Sequence, residues 1–220
     1  MMSDFLVYGV PGSPYVRAVL LALEEKHADW TLIPLALGEH KSAEHLTRHP
    51  FGRMPVLEHH DFRLYETQAI LRYLDRIVSD PPLKPRDAQA EARMNQIMGI
   101  ADWYVAPDVT RDITFPRVVA PRFGLPVDEN KIVDAQPRAA VCIDEIGRLL
   151  GDQPYMAGNA LTLADLLLAP QLVLFEAAAE AAPMLERNPN ISAWCRRMED
   201  RPAMRNTSWE KLAEGAHAAA

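Results

Sequence analysis

The segment SDPPLKPRD at 79–87 carries three prolines and no apolar periodicity, and it separates two stretches of chain with different periods. Before it, the pattern alternates. FLVYG is a short strand, PYVRAVLLALEEK places apolar residues at helical spacing, and WTLIPLAL returns to a strand pattern, which predicts a β-α-β unit. SAEHLTRH then reads as a short helix, MPVLE and FRLY as strands, and ETQAILRYLDRIV as an amphipathic helix. The expected order is βαβαββα. From Ala88 onward no strand pattern occurs, and helical periodicity runs through 88–107, 129–150, 162–182 and 190–200. The expectation is therefore an α/β domain at 1–78, a linker at 79–87 and an all-α domain at 88–220. Within the latter, PRVVAPRFGLP at 116–126 is too rich in proline for a continuous helix and is expected to be a loop, and the terminal GAHAAA is expected to fray.

Composition narrows the function classes. Lys and Arg number 8 against 10 Asp and Glu in 1–78, and 15 against 20 in the remainder, so neither part has the basic balance of a nucleic-acid binder. The two cysteines, Cys142 and Cys195, have no CxxC spacing and no histidine at ligand spacing, which argues against a disulfide framework or a structural zinc. MMSDFLVYG meets Asp4 and Gly9 before an apolar core can form, unlike a secretory signal. The most apolar stretch, at 161–182, contains Asp165, Pro170, Gln171, Glu176 and Glu180. It reads as a helix buried on most sides rather than a membrane span.

Three clusters carry chemistry. In YGVPGSPYVRAV at 8–19, a strand ends in a Gly/Pro loop and a helix begins at Ser13-Pro14. Taken alone this is the signature of a capping serine. A hydroxyl can nevertheless accept a backbone N–H while donating its proton to a ligand. Neither GxSxG nor GxGxxG is present, so a serine-hydrolase elbow and a dinucleotide fold are both disfavoured. Arg17, one turn on, can lend positive potential or simply be a solvated or paired arginine.

The second cluster, GEHKSAEHLTRHPFGRMPVL at 38–57, gathers His40, Lys41 and Arg53 around a passage that ends in Met54-Pro55. A proline at a strand start is an edge or turn proline, or a cis one that presents the preceding N–H and C=O to an extended peptide. His45 and His49 lie one helical turn apart without a third ligand, and read as part of a polar helix face rather than a metal site. In the third cluster, YETQAILRYL at 65–74, Glu66-Thr67 opens an amphipathic helix. An acid beside a helix N-terminus suits an α-amino-acid end, although an acidic first turn with a hydroxyl cap is the plainer alternative.

These three clusters, in this order and spacing, resemble the glutathione S-transferase superfamily over nearly the whole chain. GSPYVRAV and the 38–57 passage are similar to its serine-type classes, phi especially, with some likeness to theta. LTLADLLLAP resembles the family's capping box and staple, with Thr162 as N-cap, Asp165 three residues on and Leu161 facing Leu166. NPNISAWCRRMEDRP at 188–202 resembles a later helix of the family.

The resemblance implies a thioredoxin-like first domain, a cytoplasmic protein and a homodimer in which Phe51 inserts into the partner. It also implies residue roles: Ser13 hydrogen-bonds the glutathione thiolate, His40, Lys41 and Arg53 hold the glycine carboxylate, Met54 before a cis Pro55 pairs with the cysteinyl residue, and Glu66 and Thr67 bind the γ-glutamyl end. Arg53 stands where phi enzymes usually have glutamine, and Thr67 where serine is usual. Glutathione would be a co-substrate, with no cofactor and no metal, and the second substrate a small hydrophobic electrophile. Its pocket would involve Val10 and Pro11, with Trp103, Tyr104 and Phe115 as candidates that helical spacing equally fits to a core. Tyr8 lies within a strand rather than the following loop, unlike the tyrosine of the tyrosine-type classes. Two other readings stand beside this one: a non-catalytic interaction module of the same fold, and a glutathione-dependent peroxidase or reductase. Thiol exchange normally needs a cysteine near the first helix, and none lies before Cys142.

Overall fold

The computed structural model describes residues 4–218, with side chains to Glu214, so the last two alanines of the terminal stretch expected to fray lie outside the described residues. The chain forms two compact units, one of residues 1–83 together with 200–220 and one of residues 84–199.

The first unit contains β1 (Phe5–Gly9), α1 (Pro14–Glu25), β2 (Trp30–Pro34), a 3₁₀ turn at Glu39–Lys41, α2 (Ala43–Arg48), β3 (Val56–His59), β4 (Phe62–Tyr65) and α3 (Thr67–Ile77). The order βαβαββα is the one the periodicity predicts. The sheet order is β2-β1-β3-β4, with β1 parallel to β2 and antiparallel to β3, and β3 antiparallel to β4. A parallel pair needs a crossover, which α1 supplies. Its core face, Val16, Val19, Leu20 and Leu23, is buried along with Ile70, Leu71 and Leu74 of α3. Lys26, just past α1, is buried and donates to Asp75 at 2.6 Å and to the Pro81 carbonyl at 2.7 Å, so a paired charge ties α1 to α3 and to the proline-rich segment.

The sequence boundary at 88–220 needs a correction. Residues from Asp200 onward, including α9 (Pro202–Asn206) and α10 (Trp209–Ala218), belong to the first unit. Arg201 forms a two-pronged pair with Glu25 at 2.7 and 2.6 Å, and Asn206 donates to Glu24 at 2.7 Å.

The second unit is helical: α4 (Ala88–Ile100), a π-helical segment (Ala101–Val119), a 3₁₀ turn (Ala120–Phe123), α5 (Glu129–Leu150), α6 (Leu163–Phe175), α7 (Ala181–Arg187) and α8 (Pro189–Glu199). The loop expected at 116–126 is helical as far as Phe123. In the wider turn the Ala120 N–H reaches the Phe115 carbonyl, and Thr114 Oγ1 donates to the Val109 carbonyl at 3.0 Å, both five residues back. The helix expected over 162–182 stops at Phe175. It is buried on all sides from Leu163 to Leu172, as its composition predicts. The capping box at its start is present. Among the described residues, no helix is long and apolar enough to cross a membrane.

Candidate active site

Ser13 occupies the N-cap of α1 with extended backbone (φ −61°, ψ 124°), and Pro14 begins the helix. Its main chain is fully engaged: the N–H donates to the Val10 carbonyl at 3.1 Å, and its own carbonyl accepts from Arg17 N–H at 2.9 Å. The hydroxyl makes no capping hydrogen bond. The residue that sequence alone reads as a cap thus leaves its side chain out of capping, half-buried at the positive end of a twelve-residue helix.

Met54 stands next to this loop, where its thioether sulfur accepts the Val10 N–H at 3.3 Å. The Met54-Pro55 peptide bond is cis, and Pro55 is buried. His40 and Lys41 approach the same passage from the 3₁₀ turn. Gly52 has φ +56°, and a Cβ on it would crowd the His40 carbonyl at 3.0 Å and Lys41 Cδ at 3.1 Å, so glycine suits the position on both counts. Lys41 Nζ reaches the Phe51 carbonyl at 3.5 Å. Burial, then the charges of Lys41 and of Arg53, hold His40 below the usual imidazole range. The side chains of Lys41 and Arg53 remain exposed. His40, Lys41 and Arg53 are therefore brought together, as a basic corner.

Glu66 and Thr67 open α3. Glu66 has φ +71° and ψ 110°, a conformation an L-residue rarely adopts, and its carboxylate is exposed and makes no cap. Such outliers persist where surrounding structure enforces them and cluster at ligand-binding positions. Thr67 is buried.

The sequence reading missed two histidines. His45 and His49 do not form a polar helix face: they are 1% and 2% exposed. His45 donates from Nε2 to the Arg53 carbonyl at 2.7 Å, which holds the strand entry against α2. His49 packs at a tilt against Tyr65, with ring centroids 4.6 Å apart, and lies edge-on to Phe51 at 6.1 Å. Burial pushes its imidazole down, partly offset by the Glu66 carboxylate, while Arg53 and Lys41 push it further down. His49 thus lies within electrostatic reach of both the basic corner and Glu66.

Other candidates fall elsewhere. Tyr8 donates its hydroxyl to Glu58 at 2.8 Å, with Arg48 over its ring at 4.7 Å, so its proton is committed within the sheet. Arg17 donates to the Met204 carbonyl at 3.2 Å, a contact with the C-terminal segment. Val10 and Pro11 are half-buried in the loop before Ser13. In the helical unit, Trp103, Tyr104 and Phe115 are exposed rather than core. Tyr104 lines a cavity of about 380 Å³ on α4, the π-helical segment and α5, together with Ile100, Val141 and Cys142, and with Asp108, Arg138 and Glu145.

Comparison with known proteins gives the fold its relatives. The model of the glutathione S-transferase N-terminal domain matches residues 3–76, and that of the C-terminal domain residues 135–197. A glutathione S-transferase of Hyoscyamus muticus is 30% identical over 212 residues, covering 94% of this chain and 97% of its own. Glutathione transferase F7 of Populus trichocarpa has a crystal structure that superposes with a TM-score of 0.81 at 28% identity, over 96% of this chain and 99% of its own. A theta-class glutathione S-transferase from Xanthomonas axonopodis pv. citri, solved with glutathione bound, superposes with a TM-score of 0.81 at 25% identity, over 94% and 97%. The chain belongs to the glutathione S-transferase family.

Proposed function

We infer that this chain is a glutathione transferase in which Ser13 donates a hydrogen bond to the thiolate of bound glutathione and so readies it to attack a small hydrophobic electrophile. The observation that carries the reading is the Ser13 side chain, set at the start of α1 and released from the capping role its position predicts.

A free thiol with a pKa of ~8.5 is only about 3% thiolate at pH 7, and the thiolate is the nucleophile. A hydroxyl hydrogen bond to the anion, worth ~1.5–3 kcal/mol, together with the helix N-terminus, lowers that pKa by roughly 1–2 units. The two ends of the tripeptide differ in charge, and the flanking groups match them. His40, Lys41 and Arg53 suit the glycine carboxylate, Glu66 and Thr67 suit the γ-glutamyl end with its ammonium, and the Met54 backbone suits the cysteinyl residue between. On the glutathione-binding unit, Val10 and Pro11 beside Ser13 suit the wall of an electrophile pocket; on the helical unit, Trp103, Tyr104 and Phe115 are exposed aromatics suited to an apolar ligand. Thiol-disulfide chemistry is the weaker reading: both cysteines are buried, and burial pushes Cys142 up to about 11 and Cys195 higher still.

The partner is a second copy of the chain. Phe51 is 67% exposed at the end of the α2 passage, and the apolar cavity bounded by Ile100, Tyr104, Val141 and Cys142 is of a kind to receive an aromatic ring. In this reading Tyr104, which lines that cavity, also serves the interface.

Ser13→Ala tests the mechanism. Binding of glutathione should be kept, while turnover falls roughly 10–150-fold and the bound thiol's pKa rises toward its free value. Wild-type turnover and thiol pKa in a reaction limited by chemistry would refute the assignment. Absence of both binding and turnover in the wild-type protein, by titration calorimetry and a panel of electrophiles, would instead favour the non-catalytic module.

A further inference from the structure

We propose that Trp209, at the start of the last helix, is a positioning residue for the Ser13 hydroxyl, so that the C-terminal segment is a working part of the glutathione-binding unit rather than a tail. The inference rests on the reading of Ser13 given above.

Gly12, immediately before Ser13, has φ +88°, a conformation glycine adopts without strain. Its missing side chain is also needed for space. A Cβ there would collide with the Trp209 indole, whose Cγ and Cε2 lie 2.7 and 2.8 Å from that point. The indole therefore lies flat against the Gly12 backbone. The loop is held at a second point, where Val10 N–H meets the Met54 sulfur at 3.3 Å. A short loop fixed by both a thioether and an indole has few ways to move, and an oriented hydroxyl is worth more to a developing anion than one that must reorganise.

The segment that delivers Trp209 is anchored along its length to α1. Arg201 pairs with Glu25, Met204 accepts from Arg17 at 3.2 Å, and Asn206 donates to Glu24. These contacts join residues more than 170 positions apart in sequence. They fix where α10 begins, and its first residue is the one against Gly12.

The test is the pH dependence of turnover and the ultraviolet thiolate absorbance of bound glutathione in the full-length protein, for Trp209→Ala, Trp209→Leu, Trp209→Phe and Ser13→Ala. Leucine keeps most of the bulk, so that the series remains informative if the alanine variant folds poorly. Loss of the flat ring should raise the bound thiol's pKa by about one unit, which leaves roughly a tenth of the thiolate, and so of kcat, at about pH 6.5 and little deficit near pH 9.5. Glutathione affinity at about pH 6.5 should stay within about threefold, and phenylalanine should restore most of the loss. Wild-type thiol pKa in the Ala and Leu variants, alongside a raised one in Ser13→Ala, would overturn the role of Trp209 alone. A deficit equal at every pH would overturn it too, because it would indicate general structural damage. An unchanged thiol pKa in Ser13→Ala would overturn the Ser13 reading, and with it this inference.

Discussion

Trp194 donates its indole N–H to the Asp165 carboxylate at 2.9 Å, with both side chains fully buried in the helical unit. The same carboxylate accepts the Met156 N–H at 2.8 Å, the Thr162 N–H at 2.9 Å and the Thr162 hydroxyl at 2.7 Å. Burial still pushes the Asp165 carboxyl upward, against the opposing pull of these donors. Asp165 is thus the hub that joins the start of α6, the preceding loop and α8, and half of a helix cap besides.

The two members of the capping box should therefore behave differently. Thr162→Ala should cost about 0.5–2 kcal/mol, the usual range for an N-cap. Asp165→Ala should cost more, about 3–5 kcal/mol, because it strands the Met156, Thr162 and Trp194 donors in a dry interior. Denaturant unfolding of the two variants checks this, and equal losses would count against the hub.

Acid should weaken the first unit through His40 and His49. Both are held below the usual imidazole range, chiefly by burial, with Lys41, Arg53 and His45 adding to it and Glu66 opposing it at His49. Below a pH of about 6.5 the unfolded chain takes up protons that the folded one refuses, so stability is present above that value and is lost as the pH falls. Thermal midpoints between about pH 8 and pH 5.5 should drop less in His49→Asn than in the wild type. Parallel curves would show that His49 contributes nothing to acid sensitivity.

Lys41→Ala and Arg53→Ala should weaken glutathione binding more at low than at high ionic strength. Both side chains are exposed, and charge contacts there are screened over roughly 8–10 Å. Calorimetric titration at two salt concentrations reads the difference, and a salt-independent loss would point to a disturbed loop instead.

Phe51→Ser should convert dimer to monomer. If its ring fills the apolar cavity of the partner, its loss should weaken association by roughly 30-fold or more, as expected for a buried aromatic anchor. Sedimentation equilibrium at micromolar concentration should give twice 24.6 kDa for the wild type and the single mass for the variant. A wild-type monomer would remove the assigned partner.

Much of this protein is legible from local pattern, because helix and strand periods are set by which side chains a segment must bury. The βαβαββα order and the bounds of α5, Glu129–Leu150, follow from periodicity alone, and the start of α6 follows from Thr162 and Asp165. The candidate glutathione residues stand out for another reason: Ser13, Met54-Pro55 and Glu66-Thr67 sit in short motifs at element boundaries, and the family resemblance supplies the roles proposed for them.

What the tertiary structure alone decided depends on residues far apart in sequence. A proline-rich stretch continues as a helix to Phe123 because wider turns packed against α5 and α6 hold it, which overrides local propensity. His45 and His49 sit on a helix too short to display an apolar face, and they are buried through the Arg53 carbonyl and Tyr65. The last segment falls within the all-α domain expected at 88–220, yet it joins the first unit because Glu24, Glu25 and Arg17 hold it there. Whether Ser13 caps its helix or leaves its hydroxyl to a ligand is likewise beyond local sequence. The same Ser-Pro start serves either outcome, and only in the folded chain is the side chain seen to make no cap.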